Sequence, residues 1–184
     1  MKKFTWIIWL VVLLGVLCGC NRLEKGWHQA EGKTYYVSQN GRYLTGWQKI
    51  QDQFYYFHKD GAMAHGLVDL KEGRYLLDAN GAMATGWQTV EGDTYYFMSN
   101  GVAITGWQNL DGYFYLFGED GIMAKGWQDT EIGVRYFGQD GIMATGWKQV
   151  DGAWYYLYES GVMACGCWVG DYYLLGDGRM ATDQ

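Results

Sequence analysis

The stretch Gly86-Trp87-Gln88-Thr89-Val90-Glu91-Gly92-Asp93-Thr94-Tyr95-Tyr96-Phe97-Met98-Ser99-Asn100-Gly101-Val102-Ala103-Ile104-Thr105 contains one complete structural unit, and Gly106-Trp107 begins it again. Residues 86–90 read as a short strand. Glu91-Gly92 reads as a tight turn, and Thr94-Tyr95-Tyr96-Phe97 as a second strand built of residues that suit a pleated surface. Ser99-Asn100-Gly101 is a second turn, which links this unit to the next. Asn-Gly and Asp-Gly favour two-residue hairpin loops because both central residues need positive φ. The unit is a β-hairpin followed by a linking turn.

Outward from this unit, Gly-Trp recurs at Gly26-Trp27, Gly46-Trp47, Gly106-Trp107, Gly126-Trp127 and Gly146-Trp147, with Gly66-Leu67 and Gly166 keeping the spacing. A second series runs through Asn40-Gly41, Asp60-Gly61, Asn80-Gly81, Asn100-Gly101, Asp120-Gly121, Asp140-Gly141 and Ser160-Gly161. The period is 20 residues. A lone two-stranded hairpin is at best marginal in water, so the units must bury faces against one another. The prediction is an all-β fold: a β-solenoid of stacked two-stranded hairpins over residues 26–184, preceded by an N-terminal apolar signal segment. Because the period is even and strand side chains alternate, each homologous ring points the same way in every unit. Tyr95 and Tyr96 then face opposite sides, one toward the interior of the stack. The linking segment carries Met63, Met83, Met123, Met143, Met163 and Met180, with Tyr43 in the first unit. The ends read as caps, the last unit being shortened between Trp168 and Tyr172.

The 184 residues include 28 Gly, 16 Tyr and 10 Trp but no Pro, so the turns must be made with Gly, Asn and Asp. Formal net charge is −6. Loss of residues 1–19 would remove Lys2 and Lys3 and no acid, leaving the rest more acidic still. Nucleic acid is excluded as a partner on this ground, since phosphate binding needs clustered Lys and Arg. Neutral and cationic ligands remain.

Residues 1–19 read as an address label. Lys2 and Lys3 precede the apolar run Phe4 to Leu17, which is shorter than the ~20 residues of a spanning helix. The ending Leu17-Cys18-Gly19-Cys20 resembles a lipobox, with Cys20 as the lipidated residue and residues 20–25 as a short tether. An uncleaved membrane anchor is the alternative. Either places the domain outside the cell membrane, facing the wall.

Gly146-Trp147 with Asp151-Gly152, Trp154-Tyr155-Tyr156-Leu157 and Ser160-Gly161-Val162-Met163-Ala164 resembles the choline-binding, or cell-wall-binding, repeat of Gram-positive surface proteins. The unit Gly86 to Phe97 is similar to the related repeats of glucan-binding proteins and clostridial toxins. The resemblance implies a left-handed β-solenoid with an aromatic cage between consecutive hairpins. It assigns to each cage the Gly-Trp tryptophan, an aromatic opening the second strand, a tyrosine of the next hairpin and a nearby Met. Such a cage suits a quaternary ammonium, which cannot donate hydrogen bonds and is held by ring quadrupoles at ~0.5–1 kcal/mol per exposed contact and ~2 when desolvated.

Carried onto this chain, the fullest cage is Trp147 with Trp154 and Tyr172 or Tyr173. Trp107 with Phe114 and Tyr136 follows, then Trp47 with Phe54 and Tyr75, and Met123 and Met163 are expected beside the cages. The opening position is Thr34, Arg74, Thr94 and Val134 elsewhere, and the unit with Leu67 and Arg74 is expected to be dead. The implied partner is a choline-bearing teichoic acid. A surface polysaccharide is the alternative, with Trp87 and Gln88 or Trp107 and Gln108 offering a stacking face and a polar group together. A spacer meeting a protein partner is the third.

No cofactor, metal or catalytic residue is expected. The turn carboxylates Asp60, Asp111, Asp120, Asp140 and Asp151 are explained by backbone geometry, and His28, His58 and His65 lie in distant units. Cys165 and Cys167 could form a strained disulfide across one residue or remain free thiols. There is no Ser/His/Asp order, zinc signature or phosphate loop, and the repeats fill everything after Lys25.

Overall fold

The computed structural model describes residues 22–182. The address label and Cys20 lie outside the described residues. Sixteen strands pair as eight antiparallel hairpins among the described residues. These are β1 (Gly26–Ala30) with β2 (Lys33–Val37), β3 (Gly46–Ile50) with β4 (Gln53–Phe57), and β5 (Gly66–Leu70) with β6 (Gly73–Leu77). Next come β7 (Gly86–Val90) with β8 (Asp93–Phe97), β9 (Gly106–Leu110) with β10 (Tyr113–Phe117), and β11 (Gly126–Thr130) with β12 (Gly133–Phe137). The last two are β13 (Gly146–Val150) with β14 (Ala153–Leu157), and the short β15 (Cys167–Val169) with β16 (Tyr172–Leu174). The unit is the predicted all-β one, and no helix occurs among the described residues.

Register decides which side chains share a face. In β7–β8 Trp87 lies across from Tyr96 and Thr89 across from Thr94, so these four point one way. Gln88, Tyr95 and Phe97 point the other. The second strand therefore has an opening position (Thr94), a first tyrosine (Tyr95), a second tyrosine (Tyr96) and a closing residue (Phe97). The opening residue and second tyrosine share the leading face with the tryptophan, and the first tyrosine and closing residue form the trailing face. Each leading face packs on the trailing face of the next hairpin, as Trp27 does on Tyr55 and Phe57, and Trp87 on Tyr115 and Phe117.

The closing residues make the core. Val37, Phe57, Leu77, Phe97, Phe117, Phe137, Leu157 and Leu174 are all fully buried. They recur once per unit and give each hairpin the apolar centre that two strands alone cannot enclose.

The linking turns are themselves tight reversals. The Gly101 N–H donates to Met98 O at 2.8 Å and the Met98 N–H to Val102 O at 2.9 Å. Gly101 has φ 84 while Asn100 keeps ordinary negative φ. This is the three-residue loop in which a type I turn ends in a left-handed residue. The paired positive φ expected at Asn-Gly and Asp-Gly is found instead in hairpin loops such as Glu91-Gly92 and Asp151-Gly152. In the linking turns the carboxylate or amide of the Asp or Asn accepts the N–H two residues on: Asp60 from Ala62, Asn100 from Val102, Asp120 from Ile122 and Asp140 from Ile142. For Asp60 this bond, with Lys33 beside it, holds the carboxyl below its usual range.

After the turn the chain hydrogen-bonds backward to the preceding hairpin. The N–H of Met83 donates to Phe54 O, that of Met123 to Thr94 O, that of Met143 to Phe114 O and that of Met180 to Trp154 O, at 2.7–2.9 Å. The side chains of Met63, Met83, Met123, Met143 and Met163 then lie on the turn glycine of the following unit. A Cβ on Gly141, whose φ is 77, would stand 2.2 Å from Met123 Sδ.

Phe97→Ala is expected to lower unfolding free energy by about 3–5 kcal/mol, the usual result of emptying a buried phenylalanine site. Gly141→Ala should lower it by about 1 kcal/mol or more through backbone strain. Ile132→Ala, at an exposed hairpin tip, should stay within about 0.5 kcal/mol. Urea titration followed by circular dichroism measures all three.

Candidate ligand grooves between hairpins

A groove forms wherever the tryptophan and opening residue of one hairpin look toward the first tyrosine of the next. The tryptophan meets that tyrosine in five places, edge-on in three and tilted in two. Centroid distances are 5.0 Å for Trp27–Tyr55, 4.8 Å for Trp47–Tyr75, 5.2 Å for Trp87–Tyr115, 4.7 Å for Trp127–Tyr155 and 5.3 Å for Trp147–Tyr172. In its own hairpin the tryptophan meets the second tyrosine, as in Trp147–Tyr156 at 5.3 Å. The indoles of Trp27, Trp87 and Trp147 are held by tyrosines on two sides and yet remain open to solvent, and Trp107 is exposed as well.

The groove of the seventh hairpin carries the most ring surface. Trp147 and Trp154 share the leading face of β13–β14, and Tyr172 closes it from β16. Of the two tyrosines considered for this wall, the structure brings Tyr172; Tyr173 pairs with Trp168. Trp154 is 41% exposed, so its face is available. The groove of the second hairpin has Trp47, Phe54 and Tyr75 in the same arrangement. There the Lys49 ammonium lies 6.0 Å from the centre of the exposed Phe54 ring, and the same lysine pairs with Asp52.

Three expectations need correction. Tyr136 does not face Trp107. It is the second tyrosine of its hairpin, directly across from Trp127 and 4.9 Å from it. One residue along a strand reverses the face, so the residue presented to Trp107 is Arg135. Its guanidinium carbon lies 4.9 Å from the indole centre. Second, the Met residues border the groove one unit earlier than expected. Met123 bonds at Thr94 and Met163 at Val134, while Met143 borders Trp107 and Phe114 and Met180 stands beside Trp154. Third, Gln88 and Gln108 do not flank their neighbouring indoles. They sit on the opposite face, and their amides donate to Thr85 O and Thr105 O. Nothing in the strand sequence marks the displacement of Met, because it depends on where the linking segment docks.

In the dead-site unit, Arg74 pairs with Asp69 at 2.7 Å and also donates to Asp120 O, and Leu67 supplies no indole. A larger open depression of about 590 Å³ near the first two hairpins is lined mainly by polar residues such as Ser38, Gln39, Asn40 and Gln51, with Tyr36 its one ring. Cys165 and Cys167 are free thiols, and the Tyr158 hydroxyl lies 3.6 Å from Cys167 Sγ.

Recurrent ring-walled, solvent-open grooves between stacked hairpins define a domain built of hairpin repeats. The choline-binding repeat matches residues 25–66, 44–85 and 84–108, and the cell wall binding repeat matches 105–123 and 145–163. Among solved structures, choline binding protein F from Streptococcus pneumoniae, crystallised in the presence of a peptidoglycan analogue, is 31% identical with TM-score 0.78. CbpJ from the same organism is 34% identical with TM-score 0.76. The match covers 86% of this chain and 58% of each of those, so the chain spans little more than half their length. The choline-binding domain of CbpL, also from Streptococcus pneumoniae, is 33% identical with TM-score 0.59, the match covering 85% of this chain and 86% of that domain. No curated protein sequence matches. The chain belongs to the choline-binding repeat family.

Burial raises the hydroxyl pKa of Tyr55, Tyr75, Tyr95 and Tyr115 above the ordinary value of about 10, with nearby carboxylates adding to it. The folded state therefore holds these protons more tightly than the unfolded chain. Their contribution is complete below about pH 10 and is lost as pH rises through the folded pKa values. Melting temperature should be level from about pH 7 to 9 and fall above about 10, together with the appearance of tyrosinate absorbance. A fall that begins well below pH 9 would contradict the assignment.

Proposed function

We propose that the chain is a non-catalytic module that takes choline residues of cell-wall or membrane teichoic acids into the grooves between its hairpins. The hairpins form a solenoid held outside the cell membrane, anchored through lipid on Cys20 once residues 1–19 are removed. The observation that carries this reading is the groove of Trp147, Trp154 and Tyr172, with three ring walls and, among the described residues, no cation of the protein stacked on them. A trimethylammonium group offers no N–H, so ring faces are its natural partner. Met180 adds a polarizable side wall.

Single cages of this kind bind at millimolar to micromolar levels, about 4–8 kcal/mol. Several on one chain meeting a polymer with many choline groups gain by effective concentration. The acidic net charge suits a cationic group. A glycan ligand is less well served, because the glutamine amides point away from the indoles and are already bonded to backbone.

Calorimetric titration of the purified chain with choline should give saturable heat, with quenching of tryptophan fluorescence, while dextran gives neither. Trp147→Ala should weaken choline binding several-fold more than Trp87→Ala, because Trp154 completes the first cage and Thr94 leaves the second open. Heat with dextran alone would transfer the site to carbohydrate. No signal from either at tens of millimolar would favour a spacer that meets a protein partner.

A further inference from the structure

At the first-tyrosine position the chain carries Tyr35, Tyr55, Tyr75, Tyr95, Tyr115, Tyr155 and Tyr172, and at one place Arg135. The exception falls opposite a full indole. The Arg135 guanidinium carbon is 4.9 Å from the Trp107 ring centre, within the span that the tyrosines keep from their own tryptophans. Arg135 is only 6% exposed. Its Nε donates to Ser160 O at 3.1 Å and a terminal nitrogen donates to Thr130 Oγ1. On the other side of the indole, the residue across from Trp107 in its own hairpin is Leu116 in place of a tyrosine. The groove itself is present. It measures about 190 Å³ and is lined by Trp107, Phe114, Arg135, Met143, Glu159 and Ser160.

We propose that Arg135 is a specificity-determining residue: it bars quaternary ammonium ligands from the Trp107–Phe114 groove and turns that groove into a joint between hairpins. The inference rests on the choline reading and deepens it. An internal cation already draws on the indole quadrupole, and it carries hydrogen bonds that a trimethylammonium group cannot make. Being part of the chain, it meets no translational cost in holding the site, unlike a free ligand. A choline entering beside it would bring two like charges within a few ångströms in a poorly solvated space. Glu159 offsets little of this. It is exposed, and among the described residues no carboxylate forms an ion pair with Arg135.

Arg74 differs on each count. It stands at the opening position, is paired with Asp69, and belongs to a hairpin that itself has leucine where the indole would be. Arg135 is the cation that takes the place of a ring in an otherwise furnished groove.

The test follows each groove separately. Choline is titrated into the full chain while the tryptophan indole N–H resonances are recorded, with Trp107 and Trp147 assigned by single Trp→Phe variants. The Trp147 signal should shift on saturation, and the Trp107 signal should not move or should need at least about tenfold more choline. In Arg135→Tyr the Trp107 signal should shift within about tenfold of the Trp147 midpoint. If Arg135→Tyr fails to fold, Arg135→Gln decides: with the cation gone, the Trp107 signal should move at several-fold less choline than in the wild type. A Trp107 response in the wild type equal to that of Trp147, or a folded Arg135→Tyr or Arg135→Gln variant with a silent Trp107, would each overturn the proposal. If no indole responds in any variant, the choline reading falls with it; if only Trp107 departs from expectation, that reading stands and the role of Arg135 does not.

Discussion

Two antiparallel strands have two faces and no interior, so a hairpin that is to persist must borrow its core from a neighbour. In this chain the loan is made by the closing residues. Phe97 is buried because the leading face of one hairpin covers the trailing face of the next, and the same holds at Phe57, Phe117 and Phe137. The backbone fixes how the two faces meet. The N–H of residue 123 must reach the carbonyl of residue 94, and that of 143 the carbonyl of 114. A hydrogen bond across 29 residues, repeated once per unit, allows only one offset between successive hairpins. Insertion of a single residue between Gly-Trp and the linking turn would break that bond and reverse a strand face together. This explains why the 20-residue spacing holds from Gly26 to Gly166 while the side chains between are free to change.

The grooves follow from the same register and need no separate design. Alternation along the strand puts the tryptophan and the opening residue on the leading face and the first tyrosine on the trailing face. When the faces meet, the tyrosine covers the closing phenylalanine with one side of its ring and meets the preceding indole with the other. Tyr115 does both, packing on Phe117 and lying 5.2 Å from Trp87. The first tyrosine therefore serves both the stack and the groove wall, whereas the aromatic opening residues Phe54, Phe114 and Trp154 are exposed and wall the groove alone. Such a division lets one groove differ from the next without disturbing the stack. Phe54, Phe114 and Trp154 add a wall, and Thr34, Thr94 and Val134 do not.

Much of this is written in the sequence because it is periodic. The hairpins, their tight loops, the capping ends and the alternation of Tyr95 with Tyr96 all follow from recurrence and the two-residue period of a strand. The assignment of Tyr136 to Trp107 failed for a definite reason. With two aromatic-type positions side by side, only the register across the hairpin tells which one faces backward. The strict rule was available in Tyr75, which is a first tyrosine, and Arg135 holds the corresponding place in its own unit. The misplacement of Met123 and Met163 has another origin. Their docking is set by the linking turn, whose return path over the previous hairpin is a property of three dimensions with no local sequence mark. Residues 1–19 and Cys20 lie outside the described residues, so the lipid anchor rests on the sequence alone.

Arg135 shows how far a repeat can drift while its neighbours are held. Replacing tyrosine by arginine at the trailing face would ordinarily bury an unpaired charge, a costly change. Here the indole of Trp107 and the carbonyl of Ser160, delivered by the following linking turn, receive the guanidinium. Both partners exist in consequence of the repeat and would be there whatever stood at 135. Ring faces and turn carbonyls are thus general acceptors for a cation, whether it arrives on a ligand or on the chain. In this sense a cage for ammonium and an internal arginine joint are alternative uses of one arrangement, and the choice between them lies in a single side chain. Arg74 differs in its partner: with Leu67 in place of an indole on its own hairpin, the carboxylate of Asp69 across the strand pairs with it.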